Sequence, residues 1–134
     1  MKALIGEIWL ITIPVLTYDK DNNININLQK RPCLIVDDGR GLIVEQDKRN
    51  YHVLKLTTQY DRYKRKLLKN WKKYGLIKKS YIRIEMPIKI ENQQLVTKIT
   101  SISKQELLEM YNEIYKIINI HALEKISKKY QGIR

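Results

Sequence analysis

Cysteine is nearly missing from this chain. Cys33 is the only one in 134 residues, which excludes an intramolecular disulfide framework and any metal site built on several cysteines. No stretch approaches the roughly 18 uninterrupted apolar residues of a membrane span. No small-residue cleavage site follows a long apolar run after Met1–Lys2, so a secretory signal is not expected. Internal repeats and low-complexity blocks are absent as well. Acidic residues are scarce: 14 Asp and Glu stand against 26 Lys and Arg, a formal charge of +12. Such an imbalance calls for acidic partners, either nucleic acid or an acidic protein, with an anionic membrane surface less favoured. What is present suffices for a core. The 43% apolar content excludes a disordered tail, and the length fits one domain, residues 1–134, able to bury roughly two thirds of its unfolded surface. The expectation is a soluble protein of a reducing compartment, the cytoplasm, with no cofactor and no metal.

The charge is concentrated. Between Asp61 and Glu85 lie ten basic residues, Arg62 to Arg83, and no acid. A run of this kind is often a solvated face. Here it repels itself unless an anion sits nearby, and Tyr63, Trp71, Tyr74 and Tyr81 interleave it with rings that stack on unpaired bases.

The first half reads as strands. Gly6–Ile13 is rich in β-branched residues and bounded by Gly6 and Pro14. Tyr18–Lys30 is polar and Asn-rich and reads as a long loop. Pro32–Val36 is a short buried strand. Asp37-Asp38-Gly39 signals a turn, across which Leu42–Glu45 is expected to pair back. Tyr51–Thr58 alternates, and Tyr81–Ile90 alternates more clearly, with Ile82, Ile84, Met86, Ile88 and Ile90 on one face. Its other face sets Arg83 and Glu85 side by side, about 7 Å apart at the rise of a strand. Then the period becomes helical. Ser103-Lys104-Gln105-Glu106 is a capping box, followed by Leu107, Tyr111, Ile114 and Ile118 at spacings of three and four. The basic tail from His121 to Arg134 reads as a second helical segment or a fraying end.

The order and motifs of these segments resemble the PemK/MazF (Kid-like) toxins of bacterial toxin–antitoxin modules. Gly6-Glu7-Ile8-Trp9-Leu10 is similar to the family's opening GEIW/GDIV strand. Lys30-Arg31-Pro32-Cys33-Leu34-Ile35-Val36 is similar to its RP-x-L-[IV]-V strand. Lys55-Leu56-Thr57-Thr58 sits where the family has a strand closing on V-T-S or I-T. Lys78-Lys79-Ser80-Tyr81-Ile82-Arg83-Ile84-Glu85 resembles S-[VY]-[VI]-R-x-D, followed by a helix-leading segment, here Leu95–Leu107. Trp71-Lys72-Lys73-Tyr74-Gly75-Leu76 resembles a W-x-x-x-G-L segment of some members. The similarity spans about residues 5–118. Each motif alone is weak, and their order carries the resemblance.

That resemblance implies an α+β, mainly β fold: an SH3-like small β-barrel with a C-terminal helix. It also implies a homodimer, metal-independent cleavage of single-stranded RNA such as mRNA, and neutralisation by an acidic antitoxin. Such cleavage uses the substrate's own 2′-hydroxyl, so DNA should be inert. The protein must take the 2′-proton, stabilise a dianionic phosphorane and protonate the leaving 5′-oxygen. By family position Glu85 is the candidate base, standing where Kid-like members carry Asp. Arg83 matches a catalytic Arg; its guanidinium stays protonated, which assigns it chiefly to phosphorane stabilisation, with proton donation to the leaving oxygen as a second role. Arg31 is biased toward an extended backbone by Pro32, where a guanidinium can grip phosphate in a fork, and it matches an Arg that is catalytic in MazF-like members. Thr57 matches a Thr that orients the phosphate, although a strand Thr is ordinarily β propensity. Lys30, Thr58, Lys72, Lys73, Lys78 and Lys79 are candidate RNA contacts, with Glu7 a weaker one. Trp71 either stacks on RNA or anchors a loop. Trp9 reads as core and Cys33 as a buried, inert thiol.

One departure stands out. Kid-like members carry a His in the loop before Arg-Pro, and Tyr18–Lys30 has none; His52 and His121 lie elsewhere and read as ordinary. Two rival functions follow. A gyrase poison of the CcdB kind shares the fold but relies on a C-terminal Trp, whereas this chain ends Gln131-Gly132-Ile133-Arg134. A non-catalytic nucleic-acid-binding module would keep fold and charge, and would show salt-dependent binding with no product.

Overall fold

The computed structural model describes residues 2–43, 45–59 and 65–131. Among these residues, seven strands, β1 (Glu7–Tyr18), β2 (Ile24–Asp37), β3 (Asn50–Thr57), β4 (Arg65–Leu67), β5 (Tyr81–Arg83), β6 (Ile88–Glu91) and β7 (Leu95–Ser101), with a 3-10 turn at Asn92–Gln94, precede one α-helix, α1 (Lys104–Gln131). All pairings are antiparallel, in the order β4-β5-β3-β2-β1-β7, and β6 also pairs with β3. The architecture is mainly β: a curled half-barrel sheet with a C-terminal helix.

Two apolar clusters occupy the two faces of the sheet. Alternation along β1, β2 and β3 sends Ile8, Leu34, Leu54 and Leu56 to one side, where Leu68, Tyr74 and Ile82 join Met110 and Ile114 of α1. The same alternation sends Trp9, Ile11, Cys33, Ile35 and Val53 to the other, closed over by Ile90 and Leu95. Fully buried residues such as Ile8, Leu34 and Leu54 each contribute roughly 1.5–3 kcal/mol. Trp9 and Cys33 are core, as their setting in apolar strands predicts.

The helix is held at its start and along its length. Ser103 Oγ accepts the Glu106 N–H at 3.2 Å, half of the expected capping box. The other half is missing because the Glu106 carboxylate is drawn to the loop after β4. Tyr111 Oη donates to the Val36 carbonyl at 2.5 Å, and Tyr115 Oη to that of Leu42 at 2.9 Å. The rings of Tyr111 and Tyr115 stack at 6.0 Å, and burial pushes the Tyr111 hydroxyl well above its ordinary pKa. Among the described residues, no helix is long and apolar enough to cross a membrane.

Four sequence expectations are corrected. Tyr18–Lys30 is not a long loop. β1 and β2 run on as a ribbon to Tyr18↔Ile24, and the turn is short because Asp19 Oδ1 accepts the N–H groups of Asp21 and Asn23, both at 2.9 Å, with Asn22 at φ 63°. The asparagines mask the alternation of Ile24, Ile26 and Leu28. Of the expected Leu42–Glu45 strand, Val44 lies outside the described residues and Leu42, Ile43 and Glu45 do not pair back: the buried Asp37 carboxylate takes the N–H groups of Gly39, Gly41, Leu42 and Ile43, wrapping the chain around itself. Tyr81–Ile90 is two strands. β5 pairs with the end of β3 and β6 with its beginning, and the turn between them ends at Pro87, which has no N–H for a ladder. Leu95–Ser101 is the edge strand β7, and it runs into α1 at Lys104. The tail is no separate helix, since α1 continues unbroken to Gln131. Residues 60–64, part of the basic run including Arg62, Tyr63 and Lys64, lie outside the described residues, as do residues 132–134.

Candidate nucleic-acid interface

The register decides which side chains can meet. β2 and β3 pair as Cys33↔Lys55, and two residues further on Arg31 comes opposite Thr57. β3 and β5 pair as Thr57↔Tyr81. Directly opposed residues share a face, so Arg31, Thr57 and Tyr81 form a row across three strands. Lys55 and Arg83, two residues along, lie on that same face. It is the face opposite α1, beyond the end of the second apolar cluster.

A cleft of about 410 Å³ opens there, lined by Arg31, Pro32, Lys55, Leu56, Thr57, Thr58, Gln59 and Ser80. Among the described residues its lining holds two cations, Arg31 and Lys55, and no carboxylate. Arg31 is half-buried. Its guanidinium donates to the Gln29 side-chain carbonyl and, at 3.2 Å, to the Lys30 carbonyl. Those contacts fix the fork at the mouth of the cleft. Thr57 Oγ1 accepts the Gln59 N–H at 3.2 Å. Ser80 Oγ donates to the Lys78 carbonyl at 2.9 Å, setting the entry into β5. The arrangement suits a phosphodiester: a planar fork, an ammonium and a hydroxyl on one wall.

Of the residues singled out in the sequence, the cleft gathers Arg31, Thr57 and Thr58. It adds Lys55, Gln59 and Ser80, which the motifs do not single out; the cross-strand register is the signal that finds Lys55. Glu85 is elsewhere. The turn after β5 carries it over the end of the sheet to an apolar pocket of about 150 Å³ with Ile43, Ile84, Pro87 and, from α1, Ile114, Ile117 and Ile118. Arg83 Nε donates to Glu85 Oε1 at 3.1 Å. Glu85 Oε2 is buried with no hydrogen-bond partner among the described residues.

The remaining candidates scatter. Lys30 alternates to the opposite face from Arg31. Lys72, Lys73, Lys78 and Lys79 are exposed on the segment between β4 and β5. Trp71 packs against the first cluster with Lys72 Nζ 5.5 Å above its ring, so in this arrangement it anchors the loop. Glu7 is buried. Its Oε1 accepts from Leu4 N–H at 2.6 Å and Trp9 Nε1–H at 3.1 Å, and Lys98 Nζ lies 2.8 Å from Oε2. Desolvation pushes this carboxyl up, but the Lys98 ammonium and the two N–H donors outweigh it and hold it below the ordinary value. Glu7 therefore ties β1 to β7 and offers nothing to the cleft.

A second basic cleft, about 490 Å³, lies at the far end of the sheet with Lys2, Arg40, Lys48 and Arg49 among its walls. Asp38 there neutralises Arg40 at 2.7 Å. Among the described residues, no three His, Cys, Asp or Glu side chains are grouped as a metal would require. No protein-family model matches the chain, and no curated protein matches it.

Proposed function

We propose that this chain is a metal-independent, sequence-selective endoribonuclease acting on single-stranded RNA in the cytoplasm, the toxin of a type II toxin–antitoxin pair, on an SH3-like small β-barrel of the PemK/MazF kind. The observation that carries the reading is the convergence of Arg31, Lys55 and Thr57 on one open sheet face, around a single cleft. In this reading the scissile phosphate sits against the Arg31 fork, and the Thr57 hydroxyl orients one non-bridging oxygen. The 2′-oxygen attacks phosphorus as its proton leaves. The bond to the 5′-oxygen breaks, and that oxygen takes a proton, giving 2′,3′-cyclic phosphate and 5′-hydroxyl ends. Arg31 and Lys55 stabilise the charge that develops on the phosphorane. Arg83 and Glu85 act as a pair: RNA phosphate competes for Arg83, and Glu85, released from it, accepts the 2′-proton. An acidic antitoxin segment neutralises the protein by occupying the same basic cleft.

One observation favours a second reading, a nucleic-acid-binding module without catalysis. The candidate base, Glu85, does not line the cleft and its carboxylate is held by Arg83. Two substitutions separate the readings. Arg31→Ala and Glu85→Gln should each relieve growth arrest on expression while circular dichroism stays unchanged. Loss of RNA cleavage in Arg31→Ala alone would remove Glu85 from the mechanism. Unchanged toxicity in both would sink the endoribonuclease assignment.

A further inference from the structure

A second group of cations takes no part in the proposed cleavage. Lys2, Arg40, Lys48 and Arg49 line the cleft of about 490 Å³ at the start of β3. The chain builds this cleft firmly. Asp37 gathers the N–H groups of residues 39–43 on its carboxylate, and the Gly39 carbonyl accepts the Asp47 N–H at 2.9 Å. Asp47 in turn accepts the Arg49 N–H at 3.1 Å and Asn50 Nδ2 at 2.6 Å. Both ends of the connection between β2 and β3 are thus pinned together, with their cations on one cleft. Among the described residues the lining holds one carboxylate, Asp38, and Arg40 takes it in a fork at 2.9 and 2.7 Å. The side chains of Lys2, Lys48 and Arg49 are exposed and have no ion-pair partner among the described residues. Like charges gathered in this way repel one another unless an anion sits among them. Position adds to this. Tyr51 and Thr57 share one face of β3, six residues and so about 20 Å apart. The cleft of Lys48 and Arg49 takes in Tyr51, and the Arg31 cleft takes in Thr57.

We propose that the cleft of Lys2, Lys48 and Arg49 is a second phosphate site, holding the backbone of a single-stranded nucleic acid whose more distant part lies in the Arg31 cleft. The lining selects the ligand. It has no aliphatic side chain, and Tyr51 is its one ring. Peptide segments dock through apolar anchors, for which this cleft has no socket. A phosphate backbone asks only for cations. The exposed cations also suit a chain that passes through an open cleft better than a small anion that must be enclosed. One small anion cannot use two clefts ~20 Å apart on a strand face; a polyanion can. Phosphate contacts carry no base preference and act by position. They set how long a strand is held, and leave the reading of bases to the Arg31 end. The inference rests on the nucleic-acid reading of the protein, in its catalytic or its non-catalytic form.

Fluorescence anisotropy with a labelled single-stranded DNA of roughly 20 nucleotides tests this, because DNA lacks the 2′-hydroxyl and stays uncut whether or not the protein cleaves RNA. Lys48→Gln together with Arg49→Gln should lower the slope of log affinity against log salt by about 1.4, at about 0.7 per phosphate, and weaken binding ~10-fold or more at about 0.1 M salt. Both side chains are exposed, so circular dichroism should not change. Lys104→Gln together with Lys116→Gln removes the same charge from exposed positions on α1, across the sheet from both clefts, and should shift the dissociation constant less than ~2-fold. An oligoglutamate of equal length should bind the natural chain at least ~10-fold more weakly than the DNA. Equal losses in the two double variants would overturn the inference, as would oligoglutamate bound as tightly as DNA and released by the Lys48 and Arg49 substitutions. DNA bound by the natural chain and held as tightly by the Lys48 and Arg49 variant would overturn this inference alone. A natural chain that binds no DNA would remove the nucleic-acid reading with it.

Discussion

Glu106 holds the basic loop onto the helix, and removing its carboxylate should cost more than any exposed charge in the molecule. Its side chain is 2% exposed. Oε1 accepts from Asn70 N–H at 3.1 Å, Asn70 Nδ2 at 2.6 Å and Tyr74 Oη at 2.8 Å, and Oε2 from Lys69 N–H at 3.0 Å. Tyr74 Oη in turn accepts the Ser103 N–H at 2.9 Å, at the start of α1. Glu106→Ala leaves these donors without an acceptor in a site little reached by water. Hydrogen bonds to a charged group contribute about 1.5–3 kcal/mol each, and orphaned donors cost about 1–3 kcal/mol. Partial rehydration of Lys69 and Asn70 brings the expected loss to about 3–5 kcal/mol, a fall in Tm of roughly 10–20 °C at this chain length. Glu106→Gln separates the two oxygens. It keeps the three bonds to Oε1 and turns an amide toward the Lys69 N–H, so about 1–2 kcal/mol is expected. Urea unfolding followed by circular dichroism measures both. A loss below about 1 kcal/mol in Glu106→Ala would refute the clamp.

Two further predictions concern the core and its nearest turn. Gly39 sits at φ +99°, and a Cβ there would meet the Asp47 carbonyl oxygen at 2.3 Å. Gly39→Ala should therefore cost about 2–4 kcal/mol, from backbone strain plus displacement of the 47–48 backbone, read as a lower urea midpoint; an unchanged midpoint would contradict the turn geometry. Cys33 is fully buried, and burial raises its thiol pKa to about 12. At pH 8 only about one thiol in 10⁴ is then ionised, so a thiol-specific reagent should label the unfolded chain fully and the native chain hardly at all. Rapid stoichiometric labelling of the native protein would place Cys33 outside the core.

Much of the fold was legible where alternation is uninterrupted by polar composition. Gly6–Ile13, Pro32–Val36 and Tyr51–Thr58 read as strands and are strands, and the helical period after Ser103 gives α1. The failures have physical causes. In Ile24–Leu28 the intervening asparagines make the segment polar enough that its period-2 pattern reads as a loop. Ile82 to Ile90 keeps its alternation through a turn, because Ile84 to Pro87 interrupt the pairing without disturbing the pattern. Glu106 was legible as a helix-start carboxylate, but not as the acceptor for a loop 37 residues upstream. The cleft was half legible: the motifs find Arg31, Thr57 and Thr58, the register adds Lys55, and only the folded chain brings in Gln59 and Ser80. Spacing alone sets Arg83 and Glu85 together, and they do meet; it does not show that the turn takes Glu85 toward α1.

The most direct test of the proposed activity is incubation of the purified protein, in EDTA, with a long mixed-sequence single-stranded RNA and its DNA equivalent, reading the product ends. Discrete RNA fragments bearing 5′-hydroxyl and 2′,3′-cyclic phosphate ends, beside intact DNA, are the predicted result. Retained RNA binding with no cleavage would contradict it, and would leave the Arg31–Lys55–Thr57 cleft as a binding surface alone.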